Sequence, residues 1–153
     1  MTTQLAIMDA VQALAAEALP ELRRIYTDLV PSDFLRPCLL VQPVTTTRED
    51  AAQNLSRITD YYTLTVFDET DDYSNSDTRR LLEWQQRVMD LFRPGYLEVD
   101  GRALSVQAST GGRDWDKAYV DLQFSYHDLR DETPDTTPKM GSVETNMSLK
   151  ETE

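Results

Sequence analysis

Two stretches of regular alternation constrain this chain more than anything else in it. From Leu55 to Asp68, Ile58, Tyr62, Leu64 and Val66 fall on one side, and Arg57, Thr59, Tyr61, Thr63 and Thr65 fall on the other. From Asp116 to His127, Ala118, Val120, Leu122, Phe124 and Tyr126 alternate with Lys117, Tyr119, Asp121, Gln123 and Ser125. A side-chain period of two marks a strand that buries one face and leaves the other in water. Strands this long require a sheet with one covered face, and therefore apolar helices or a second sheet to cover it.

Two segments supply such a cover. Thr3 to Ala18 places Ile7, Val11, Leu14, Ala15 and Ala18 at helical spacing, and Pro20 ends the run. Ser76 or Asp77 can cap a second helix reaching about Arg93, with Leu81, Trp84, Val88, Leu91 and Phe92 on its apolar face and Pro94-Gly95 as its stop.

The remaining segments read as further strands and turns. Arg23 to Val30 is a candidate short strand, with Ile25 and Tyr26 favouring it, and Pro31 to Phe34 is a turn. Pro37 to Val44 (PCLLVQPV) is a buried strand whose far end must be an edge or a bulge, because Pro43 has no amide to donate. Thr45 to Asn54 is polar and reads as a loop. Asp68 to Asn75 is an acidic loop. Tyr96 to Val99 and Arg102 to Ala108 form a hairpin around Asp100-Gly101, and Gly111-Gly112 is a second turn. The expected class is α+β, with one mainly antiparallel, mixed sheet packed by two helices.

After Arg130 the composition changes. Asp131 to Glu153 contains no aromatic residue and no periodicity, and is expected to be a disordered acidic tail following a single domain over residues 1–130. The tail holds six acidic and two basic residues. Of the net charge of −12, −8 therefore belongs to the rest of the chain. That balance disfavours binding to phosphate backbones or anionic membranes. No apolar run approaches the roughly 20 residues that span a bilayer, and the N-terminus lacks the basic start of a secretory signal.

Chemistry is hard to build from these residues. One cysteine (Cys38) and one histidine (His127) exclude an intrachain disulfide, a thiolate zinc cluster and a His-pair metal site. Asp68, Glu69, Asp71 and Asp72 are the densest carboxylate cluster, but no glycine and closing glutamate make it a calcium loop. Asp114 and Asp116 flank Trp115 with nothing to fix their separation. Cys38 could in principle pair with His127, yet it sits in an apolar strand where thiols are inert. Neither cofactor nor metal is expected. Tyr61 and Tyr119 fall on the polar faces of their strands, where an aromatic serves either cross-strand pairing or a protein contact.

The order and lengths of these segments resemble the tail-terminator family of tailed phages and prophages, that is, tail-completion or head–tail joining proteins. The resemblance spans roughly residues 3–130. It rests on the first helix, the element Arg36-Pro37-Cys38-Leu39-Leu40-Val41, the Arg-led strand RITDYYTLTVF (Arg57 to Phe67), the helix LLEWQQRVMDLF, a hairpin with VDGR at its tip, and the strand DWDKAYVDLQFSY. The resemblance implies a structural virion protein at the head–tail interface, assembled in the host cytoplasm. It implies a homo-oligomeric, hexameric ring that caps the tail tube, ends tube polymerisation and offers a docking surface to the head connector. Its partners would be itself, the tube protein and the connector, with DNA passing the lumen unbound.

On that basis Asp68, Glu69, Asp71 and Asp72 are expected to line the lumen or the tube-facing rim, since an acidic wall repels phosphates. Arg48, Arg57, Tyr61 and Tyr119 are expected at contacts between subunits. Residues 45–54 and 131–153 are expected to order only against neighbours. The alternatives are another head-completion or connector protein, and a small metal-dependent hydrolase.

Overall fold

The computed structural model describes residues 4–27 and 34–129. The expectations for the tail at 131–153 and for most of the Pro31–Phe34 turn lie outside those residues. The elements are α1 (Gln4–Ala18), β1 (Arg24–Tyr26), β2 (Cys38–Ala52), β3 (Leu55–Phe67), α2 (Thr78–Asp90), β4 (Tyr96–Val99), β5 (Arg102–Arg113) and β6 (Lys117–Leu129). The six strands form one sheet in the order β1-β2-β3-β6-β5-β4. Only β1 and β2 run parallel. The fold is thus α+β, with the mixed, mainly antiparallel sheet and two helices that the alternation requires.

The two alternating segments are the central pair. β3 and β6 are in register along their whole length, from Leu55 opposite Leu129 to Phe67 opposite Lys117. Their apolar phases, Ile58, Tyr62, Leu64 and Val66 with Val120, Leu122, Phe124 and Tyr126, face one core. α1 contributes Ile7, Val11 and Ala15 to it, α2 contributes Trp84 and Val88, and Phe92 joins them from the turn after α2. Both helices therefore lie on the same face. α1 touches both β2 and β4, which stand four places apart in the sheet, so the sheet must curl around it. The Tyr62 hydroxyl donates to the Gln4 carbonyl at 2.9 Å and ties the first turn of α1 to the sheet.

Local chemistry explains the boundaries. Asp77 caps α2, its carboxylate accepting from the Arg79 amide at 3.1 Å. Asp100 (φ 51) and Gly101 (φ 77) take the left-handed torsions of a tight hairpin turn. At Pro43 the β2–β3 register shifts, so the proline sits at a bulge, as its missing amide demands.

Several readings need correction. Thr45–Asn54 is not a loop: β2 continues through Ala52 and pairs with β3 down to Leu55. Gly111-Gly112 is not a turn but a bulge within β5, which runs on to Arg113. A side chain at Gly111 would meet Asp121 Oδ2 at 2.8 Å and Tyr119 Cβ at 2.9 Å, and Gly112 has φ 97, so both glycines are required. Within the described residues the strand expected at 23–30 covers only Arg24–Tyr26. Ala18 is exposed, and Leu19 takes its place in the core. Thr59 and Thr65 are buried despite their polar phase, screened by neighbouring strands.

Candidate functional site

The sheet has one covered face and one that carries neither helix. Beyond its second residue row, the uncovered face is built of Thr63, Tyr61, Thr59 and Arg57 from β3 beside Asp121, Gln123, Ser125 and His127 from β6. At one end of the same face Cys38, Leu40 and Phe67 make a small apolar cluster with Tyr26 and Phe34. The face is mixed in charge, Arg57 standing opposite Glu49 in β2 and His127 in β6.

Three of the four expected contact residues share this face. Arg57, Tyr61 and Tyr119 lie on it in a diagonal row, with Tyr61 opposite Gln123 and Tyr119 four residues away along β6, about 13 Å. Arg48 does not join them. It stands opposite Ile58 and so belongs to the other side of the β2–β3 hairpin. Tyr119 is also engaged within its own chain, its hydroxyl donating to Asp114 Oδ2 at 2.8 Å.

The hairpin itself is the feature that sequence reasoning missed. β1 covers β2 only from Cys38 to Leu40. From Gln42 to Ala52 every residue of β2 is exposed, and no described strand pairs with its outer edge. On the far side of the sheet β4 covers β5 from Arg102 to Ser105 only.

The acidic loop is less uniform than its composition. Asp68 is fully buried, its Oδ1 sitting 3.1 Å from Arg80 Nη2 without the alignment of a hydrogen bond. Its carbonyl accepts from Arg36 at 3.0 Å, and the same guanidinium reaches Asp116 Oδ2 at 2.8 Å and stacks 4.3 Å from the Phe34 ring. Arg36 thereby joins the start of β2, the end of β3 and the start of β6, which gives the Arg-Pro element a structural reason. Asp71 folds its own loop, accepting from the amides of Tyr73 (2.9 Å) and Asn75 (3.0 Å). Glu69, Asp71 and Asp72 are exposed; Asp68 faces no solvent. Tyr73 and Trp115, 84% and 77% exposed, stand at this same end, where the Ser76 amide donates to the Trp115 carbonyl at 2.8 Å.

A second buried carboxylate belongs to the core-facing phase of β3. Asp60 has no exposed surface and accepts from Tyr126 Oη at 3.0 Å and Thr46 Oγ1 at 2.6 Å. Gln4 Nε2 approaches it at 3.5 Å. The network joins α1, β2, β3 and β6 where the exposed hairpin leaves the body. The only signal in the sequence was an acid interrupting the apolar phase between Ile58 and Tyr62.

Cys38 and His127 stand beside β3 positions ten residues apart, about 33 Å, so they cannot form a dyad. Burial pushes the Cys38 thiol up to about 11. Asp114 and Asp116 are taken up by Tyr119 and Arg36. Among the described residues no three of His, Cys, Asp and Glu group as metal ligands. Among them, too, no helix is long and apolar enough to cross a membrane.

Three phenols, Tyr62 and Tyr126 in the core and Tyr119 half-buried, carry a measurable signature. Desolvation above all pushes Tyr62 and Tyr119 up to about 12 from an ordinary 10, and Tyr126 higher, with Asp60 adding to Tyr62 and Tyr126 and the Asp114 hydrogen bond adding to Tyr119. In alkali the unfolded tyrosines lose protons while the folded ones keep them, so the unfolded state binds fewer. Stability therefore falls as pH rises from about 10 to about 12. Urea midpoints across that window, followed alongside phenolate absorbance, should decline before these tyrosines ionise in the folded protein.

Comparison with known proteins places this geometry. No curated protein matches the chain. Among solved structures it is similar to the sheath/tube terminator of an extracellular contractile injection system, PVC, determined by cryo-EM in the extended state. The TM-score is 0.55 at 13% identity, over 97% of this chain and 66% of that one, so this chain spans just under two-thirds of its length. That likeness is one of fold. The family described as phage tail terminator protein matches residues 6–136. The chain belongs to the phage tail terminator protein family.

Proposed function

We propose that the chain closes into a homo-oligomeric ring, six-membered as its family resemblance implies, that caps the finished tail tube, stops its growth and presents a docking surface to the head connector. Family membership makes the chain a structural component of a phage or tail-like particle and supports a terminator role. The observation that carries the finer reading is the β2–β3 hairpin, which projects an exposed strand edge beyond the core. A ring needs one head-to-tail contact repeated until it closes, and unpaired strand edges are suited to it. Glu69, Asp71 and Asp72 would face the lumen or the tube rim and repel DNA phosphates. Asp68, which is buried, is left out of that role.

The test is tube growth. Tail tubes polymerising from purified tube protein should stop at a length fixed by when this chain is added, and capped tubes should not resume growth when more tube protein is supplied. Unrestricted growth at saturating chain would refute capping.

A further inference from the structure

Building on the ring reading above, we propose that the contact between subunits is a strand pairing in which β2 residues 43–52 of one copy add to β5 residues 107–113 of the next. Both stretches are open edges of the same sheet. β1 ends its cover of β2 at Leu40, and β4 ends its cover of β5 at Ser105. Every residue of the two stretches is exposed except Ala108, which is half-buried. Beyond their inner partners β3 and β6 no described strand pairs with either, and within β5 the Gly112 carbonyl accepts from Gln85 Nε2 at 3.1 Å.

Their placement is complementary. The three antiparallel steps β2–β3, β3–β6 and β6–β5 leave β2 and β5 antiparallel to each other. A second copy set alongside in the same orientation therefore brings its β5 antiparallel to the first copy's β2. The two edges differ, so the contact is head-to-tail, leaves one open edge at each end of any short assembly, and ends only on closure. Natural edges are normally blunted by lysines, inward charges or coverage. Here β5 offers Gln107, Ala108, Ser109 and Thr110 with Arg113 as its only charge; the β2 stretch begins at Pro43, offers Thr45 to Thr47, and follows them with Arg48, Glu49 and Asp50. With the centres of the stretches aligned, Arg113 falls beside the threonine end of β2, away from Arg48, and no like charges are opposed.

The test uses the full chain with Thr47→Cys and Ser109→Cys, singly and together. Both side chains lie on the uncovered face. Within one chain they are three strands apart and four residues out of register, too far to be linked to each other. Cys38 has no exposed surface and stays unreactive. A short bis-maleimide also reaches diagonal neighbours about 7–8 Å away, so a slip of one pair does not hide the contact.

In the presence of tail tubes the double variant should give a denaturing-gel ladder climbing past the dimer. An equimolar mixture of the single variants should stop at the dimer, and each single variant alone should remain monomeric. Assemblies of ring mass by light scattering with no ladder would overturn the pairing and leave the ring standing. A dimer from Thr47→Cys alone would overturn it in favour of a symmetric β2–β2 contact. A monomer that ignores tubes would overturn both readings.

Discussion

Replacing Phe124 with alanine lowers the unfolding free energy by about 3–5 kcal/mol. Phe124 has no exposed surface and lies midway along β6, which with β3 forms the centre of the sheet. Its ring meets Tyr62 edge-on at 5.5 Å and Phe92 at 6.3 Å, joining β6 to β3 and to the residues that follow α2. Truncation removes the transfer energy of the ring and opens a cavity that two flanking aromatics cannot readily fill. The neighbouring Gln123 faces the uncovered side and is half-buried, so Gln123→Ala should cost no more than about 0.5 kcal/mol. Urea denaturation of both variants tests which face of the sheet is covered. Equal losses would mean that the helices do not lie where the core places them.

Replacing Arg80 with alanine should cost about 2 kcal/mol, less than the 3–5 of a fully buried pair because the guanidinium is half-exposed. The loss comes from what remains. The Asp68 side chain is only 1% exposed, and Arg80 is its ion-pair partner. Without it a carboxylate is left in a dry site without its ion-pair partner, the nearby Arg36 being engaged by the Asp68 carbonyl and by Asp116. Asp68→Asn in the Arg80→Ala background should recover most of the loss, since it removes the stranded charge at nearly constant volume. Failure of that rescue would show that Asp68 reaches water, which is the environment a lumen-lining acid needs.

The sheet was legible because half-buried strands advertise themselves. Ile58 to Val66 and Ala118 to Tyr126 alternate because one side meets the core and the other meets water. The helices were legible for the same reason at a period of 3.6. The hairpin was not. Thr45 to Asp50 have water on both sides of the strand, so no alternation is selected, and the stretch looks like any polar loop. Gly111-Gly112 reads as a turn by residue type, while its bulge arises from the approach of Asp121 and Tyr119 on the next strand, which only the register discloses.

The candidate site divides along the same line. The alternation placed Arg57, Tyr61 and Tyr119 on exposed phases, and the structure puts them on one face. Arg48 could not be placed before its segment was known to be a strand with two faces. Asp68 looked like one acid among four because its ion pair with Arg80 depends on where α2 packs. Asp60 left no signal beyond interrupting an apolar phase, because its three donors come from three different elements.

The most direct measurement is the mass of the purified full chain by light scattering, paired with negative-stain images of the same protein mixed with tail tubes. Closure into a ring predicts a mass that is a fixed multiple of the single chain once tubes are present, and a cap of added density at one end of each tube. Bare tube ends, with the protein remaining at the mass of one chain, would contradict it.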